Sequence, residues 1–121
     1  MARPHKVLLY EIDGDTLIVT PKGDSLSVEE RVLEKEIAAL HKLIDSPPLT
    51  HVVVNVGGAP YFGSLMMGAM IALCKRATDG GGKAAMCSAS GGMLESIQIM
   101  RLDTVIPHFP TPAAALAFVR E

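Results

Sequence analysis

His51-Val52-Val53-Val54-Asn55-Val56 is an apolar run with no alternation of polar and apolar side chains, and it constrains the fold more than any other stretch of the chain. A strand that meets water on one face alternates, so this one reads as a central strand covered on both faces. Gly57-Gly58-Ala59-Pro60 releases the chain from it, and a Leu/Met/Ala pattern of helical length follows from residue 64 to 78. The intervening segment, Pro60 to Gly68, is therefore a strand-to-helix turn. Ser64 falls at the N-cap position, where its hydroxyl can accept a first-turn amide and where the positive end of the helix dipole also suits a phosphate. Serine is a leading cap residue, so capping alone accounts for it equally well.

The flanking segments extend this unit into one domain. Val7 to Ile12 and Thr16 to Thr20 are β-rich runs joined by Asp13-Gly14-Asp15, a hairpin signal because glycine takes positive φ without penalty. Ser27-Val28-Glu29-Glu30 has capping-box spacing, and Leu33, Ile37, Leu40 and Ile44 then recur on one helical stripe that leaves Glu34, Lys35 and Lys42 toward water. Asp45-Ser46-Pro47-Pro48 ends that helix. Beyond residue 78, Gly80-Gly81-Gly82 stops the second helix and Lys83 to Ser88 reads as a strand. Ser90 caps a helix over about 91–101, Thr104-Val105-Ile106 reads as a last strand, and Thr111-Pro112 opens a C-terminal helix through Val119. The order ββαβαβαβα predicts one small α/β domain over residues 1–121. Its sheet is mixed and mostly parallel, with an N-terminal hairpin and about four helices.

Composition narrows the function. A formal charge of −2 and a pI near 6.1 supply no basic field for nucleic acid or anionic lipid. Cys74 and Cys87 have neither metal-site nor disulfide-scaffold spacing, and no apolar run approaches the roughly 18 residues of a membrane span, so a reduced cytoplasmic protein without a leader is expected. Gly80-Gly81-Gly82-Lys83 is not a phosphate loop, because Ala77 and Ala84 stand where that motif needs glycine and Ser or Thr. The four histidines show no ligand spacing, so neither metal nor cofactor is expected, and Ser64 lacks the flanking glycines of an esterase elbow. Met66, Met67 and Met70 cluster beside Ser64. Residues 66 and 70 share a face while 67 lies about 100° away, so the three are not expected to enter one core together.

The run from His51 through Phe62-Gly63-Ser64-Leu65-Met66-Met67-Gly68 to Gly81-Gly82-Lys83-Ala84-Ala85-Met86-Cys87-Ser88-Ala89-Ser90 resembles, without gaps, the STAS domain of bacterial anti-sigma factor antagonists. That family has an Asp-Ser-Ser-Gly-Leu-Gly turn, whose first serine is phosphorylated by the partner kinase and falls on Ser64. Here Gly63 replaces its aspartate, Leu65 its second serine, and Met66 and Met67 the following glycine and leucine. The resemblance implies a non-enzymatic binding module whose partner is an anti-sigma factor or a serine kinase of the switch-protein type. Phe62, Gly63, Ser64, Leu65, Met66 and Met67 would form the contact, and phosphorylation of Ser64 would control it. Two other readings are open. One is a small-ligand or nucleotide-sensing domain using the Gly57-Gly58 and Gly91-Gly92 amides; the other is a non-phosphorylated scaffold component.

Overall fold

The computed structural model describes residues 7–22, 30–57 and 64–121, with the Ser64 side chain left out. Strands β1 (Leu8–Asp13) and β2 (Thr16–Pro21) form the expected antiparallel hairpin, with Gly14 at φ 63° in its turn. Helix α1 (Glu30–Ile44), strand β3 (His51–Asn55), helix α2 (Ser64–Asp79), strand β4 (Ala84–Cys87) and helix α3 (Gly91–Ile99) follow. A 3₁₀ turn (Leu102–Thr104), strand β5 (His108–Phe109) and helix α4 (Pro112–Val119) complete the chain. Strand order is β1-β2-β3-β4-β5, and every pair after the hairpin is parallel. Ser27, the expected cap of α1, lies outside the described residues.

Two cores on opposite faces of the sheet explain why the β3 sequence does not alternate. Val52 and Val54, with Leu17, Val19, Ala84 and Met86, face α1, α2 and α3 in the larger core. Val53, with Ile18, Ala85 and Cys87, meets Ala115 and Val119 of α4 in the smaller one. A β-strand sends successive side chains to opposite faces, so a strand with helices on both sides must be apolar throughout.

The helices follow their caps and stripes, with exceptions decided by tertiary contacts. In α1, Leu33, Leu40 and Ile44 are buried as expected, but Ile37 is only partly so, and Glu36 is the buried member of that turn. In α2 all three methionines are buried, at 1% (Met66), 8% (Met67) and 4% (Met70), in one core together with Leu73, Cys74 and Ala77. The expectation that they diverge fails because α2 packs on the sheet with one side and on α1 with the adjacent side, so positions 100° apart are both covered. In α4, Thr111 Oγ1 accepts from Ala114 N at 3.2 Å with Pro112 in the first turn, as its sequence implies.

The last strand is not Thr104-Val105-Ile106. Thr104 closes the 3₁₀ turn, Val105 is 72% exposed, and Ile106 is buried in the larger core. β5 instead lies at His108–Phe109, paired with Met86 and Cys87. β-propensity yields here to the partners β4 needs: Met86 N donates to Pro107 O at 2.8 Å and Ser88 N to Phe109 O at 3.0 Å.

Candidate functional site

The C-terminal ends of β3, β4 and β5 come together at one edge of the sheet, and backbone geometry fixes them there. Asn55 Oδ1 accepts from Gly57 N at 2.9 Å, which turns the chain out of β3, and Val56 N donates to Cys87 O at 3.0 Å. A side chain at Gly57 would place its Cβ 2.9 Å from Ser88 Cβ, so glycine is what lets the turn after β3 pass against the turn after β4. Ala89 N donates to His108 Nε2 at 3.0 Å, joining the β4–α3 turn to β5. Helices α2 and α3 both begin at this edge. Neither carries an acidic residue in its first turn, so neither helix offsets the positive end of its own dipole with a first-turn carboxylate. Ser90 occupies the N-cap of α3 in extended conformation but makes no side-chain capping bond.

The residues expected to form the contact do not all reach the surface. Ser64 is the first helical residue of α2, one position beyond the N-cap expected for it, while Phe62 and Gly63 lie outside the described residues. Leu65 is 45% exposed, and on the same side of the helix Gly68 and Ala72 are exposed. Met66 and Met67 are a correction: both are inside the larger core, and they present almost no surface to a partner. His108 was not singled out by the sequence. Its only trace there is its position after Pro107, just where β5 begins.

The other reactive groups are held inert. Burial pushes the Cys74 thiol up to about 12 and raises that of Cys87 as well, the latter against an opposing hydrogen bond with Ser88. Neither is poised as a thiolate nucleophile. Among the described residues no three His, Cys, Asp or Glu side chains are grouped to hold a metal ion. A cavity of about 280 Å³ lies at the opposite end of the sheet, beside Leu49, Thr50 and Ala77. It is flanked by the Asp45–Arg76 ion pair, in which Arg76 Nε donates to Asp45 Oδ1 at 3.0 Å. No helix among the described residues is long and apolar enough to cross a membrane.

His108 gives this edge a pH dependence. Its Nε2 accepts the Ala89 amide only while unprotonated, and burial lowers its pKa from the ordinary 6.5 against an opposing pull from Asp103. Within the window below about 6.5 the unfolded chain binds the proton more readily than the folded one. Stability from this group is therefore complete above that window and is lost as pH falls through it. His41, lowered by burial too, acts with the same sign. Urea denaturation between about pH 8 and pH 5 should show stability falling with acidification, and His108→Gln should flatten part of the slope. An unchanged slope in that variant would remove His108 from the account.

The sequence matches the profile of the STAS domain over residues 2–115. The chain belongs to the STAS-domain family. No curated protein sequence matches it closely. Among solved structures, the Thermotoga maritima protein TM1081 superposes with a TM-score of 0.81 at 16% identity, covering 100% of this chain and 94% of its own. An anti-sigma factor antagonist from Mycobacterium paratuberculosis gives 0.74 at 24% identity, with both chains covered fully. The Bacillus anti-sigma factor antagonist SpoIIAA in its unphosphorylated form gives 0.75 at 16% identity, covering 94% of this STAS domain and 96% of SpoIIAA. SpoIIAA has also been solved in its phosphorylated form, with a TM-score of 0.70. At these identities the likeness is one of fold: the hairpin, the parallel strands and the helix order of this STAS domain are shared.

Proposed function

We propose that this STAS domain is a cytoplasmic regulatory module that acts by binding a protein, catalyses no reaction, and is switched by phosphorylation of Ser64. The partner is an anti-sigma factor or a serine kinase of the switch-protein type. The observation that carries the reading is the placement of Ser64 at the start of α2, beside exposed Leu65 and at the edge where the strand ends converge. The phosphorylated SpoIIAA structure supports it as a fold on which such a modification occurs.

The contact comprises Phe62, Gly63, Ser64 and Leu65, continued along α2 by Gly68 and Ala72; Met66 and Met67 support it from beneath. A phosphate on Ser64 brings about −1.5 to −2 charges. The amide end of α2, with no carboxylate in its first turn, accommodates that charge, so the fold survives. Association does not, because the charge must be desolvated against the apolar surface around Leu65 unless the partner supplies Arg or Lys.

Pull-down from the source cells with mass spectrometry identifies the partner, and titration calorimetry then compares three forms. Ser64→Asp should keep the melting temperature within a few degrees and weaken binding at least tenfold, about 1.4 kcal/mol. Ser64→Ala should bind like wild type and resist the kinase. Equal affinities for all three would mean that this turn is not the switch.

A further inference from the structure

We infer that α4 is a strap that lifts from the sheet as a unit while the rest of the fold stays closed, with Arg120 as its latch. The helix has eight residues, and only Ala115 and Val119 on it are fully buried. By contrast α2 places Met66, Met67, Met70, Leu73, Cys74 and Ala77 in the larger core. α4 docks on β3, β4 and β5. A helix this short has no stability of its own, so leaving the sheet and melting are one event.

What holds its end is electrostatic and accessible. Arg120 Nη2 donates to the Asp13 carbonyl at 2.7 Å and lies 3.4 Å from the Asp13 carboxylate, while Nε lies 3.6 Å from that of Asp15. These three side chains are 38–56% exposed, so salt screens their attraction. The acceptor side does not depend on the helix. Asp15 takes the Thr16 hydroxyl at 2.9 Å, faces His51 Nε2 at 3.6 Å, and offers its carbonyl to Thr50 N and His51 N. The acceptor side of the latch therefore stays assembled on the sheet when the helix leaves. Two residues before Arg120, the Phe118 ring rests 5.2 Å from that of Phe109 and 5.1 Å from the Lys83 ammonium.

Lifting α4 uncovers Ile18, Val53, Ala85 and Cys87, an apolar strip across three strands that the closed form hides. The two cysteines report on the two cores separately, since Cys87 lies under α4 and Cys74 in the core under α2.

The test is native-state thiol labelling of the full chain with an aromatic disulfide reagent, each cysteine followed by mass spectrometry. Cys87 should label at least tenfold faster than Cys74. Arg120→Gln should speed Cys87 labelling roughly three- to tenfold and leave Cys74 unchanged, and raising salt from about 0.05 M to about 1 M should act in the same direction. Val119→Ala, which loosens the strap by packing rather than charge, should favour Cys87 labelling without the salt effect changing sign. One common rate for both cysteines, or equal acceleration of both by Arg120→Gln, would overturn the strap and leave Arg120 as a contributor to global stability alone. No acceleration by Arg120→Gln would overturn the latch.

Discussion

Gly82→Ala is expected to destabilise the fold by about 3 kcal/mol or more, at the upper end of what overpacking does. A Cβ on Gly82 would sit 1.8 Å from the Thr50 carbonyl oxygen and 2.7 Å from its carbon, far inside contact distance and against backbone. Neither side can yield cheaply. Thr50 N donates to Asp15 O at 2.9 Å, Val52 N to Lys83 O at 3.1 Å, and Gly82 N to Ala77 O at 2.9 Å, so moving either side strains bonds to the β1–β2 turn, between β3 and β4, or to the end of α2. Two other glycine substitutions serve as controls. Gly81→Ala meets open space but at φ 95°, and should lose about 1–2 kcal/mol from backbone strain. Gly92→Ala, helical and with nothing near its Cβ, should be neutral or stabilising by up to about 1 kcal/mol. Chemical denaturation of the three variants checks the order, and a Gly82→Ala protein as stable as Gly92→Ala would mean that the approach of Thr50 to this turn is not as described.

Removing the Glu36 carboxylate is the second large effect. Glu36 is 7% exposed, and its Oε1 accepts from Val7 N at 2.9 Å and from Leu8 N at 2.8 Å. Leu8 belongs to the outermost strand, so α1 uses this carboxylate to hold the start of that strand at the sheet edge. Glu36→Ala leaves both amides without that acceptor, at about 1–3 kcal/mol each, so a total loss of about 2–6 kcal/mol is expected. Glu36→Gln keeps one carbonyl oxygen and should lose about 1 kcal/mol, the charge-assisted part. Hydrogen exchange at Val7 and Leu8 should accelerate in the alanine variant beyond the change in global stability. A loss under half a kcal/mol for Glu36→Ala, measured by urea titration, would show that other groups satisfy those amides.

Much of the architecture follows from local chemistry that a sequence displays directly. Asp13-Gly14-Asp15 can turn a hairpin because glycine alone takes its φ freely. Thr111-Pro112 starts α4 because a hydroxyl and a ring each suit a first turn. Val52 to Val54 demand cover on both faces whatever covers them. Ser64 was legible as a helix start for the same reason, since its position depends only on the strand and helix patterns either side of it. The rest depended on which surfaces meet. Met66, Met67 and Met70 share one core because α2 meets both the sheet and α1, and no periodicity within α2 states that. Glu36 rather than Ile37 faces inward because the amides of Val7 and Leu8, at the start of the first strand, bond to it, a pairing between residues far apart in the chain. Gly82 resembles any helix-stopping glycine until Thr50 is brought against it. β5 falls at His108–Phe109 because the edge of β4 selects its partner by hydrogen-bond register, which outweighs the β-propensity of Thr104-Val105-Ile106. Local conformational preference is written residue by residue, whereas burial and close approach belong to pairs, and only the folded chain decides which pairs form.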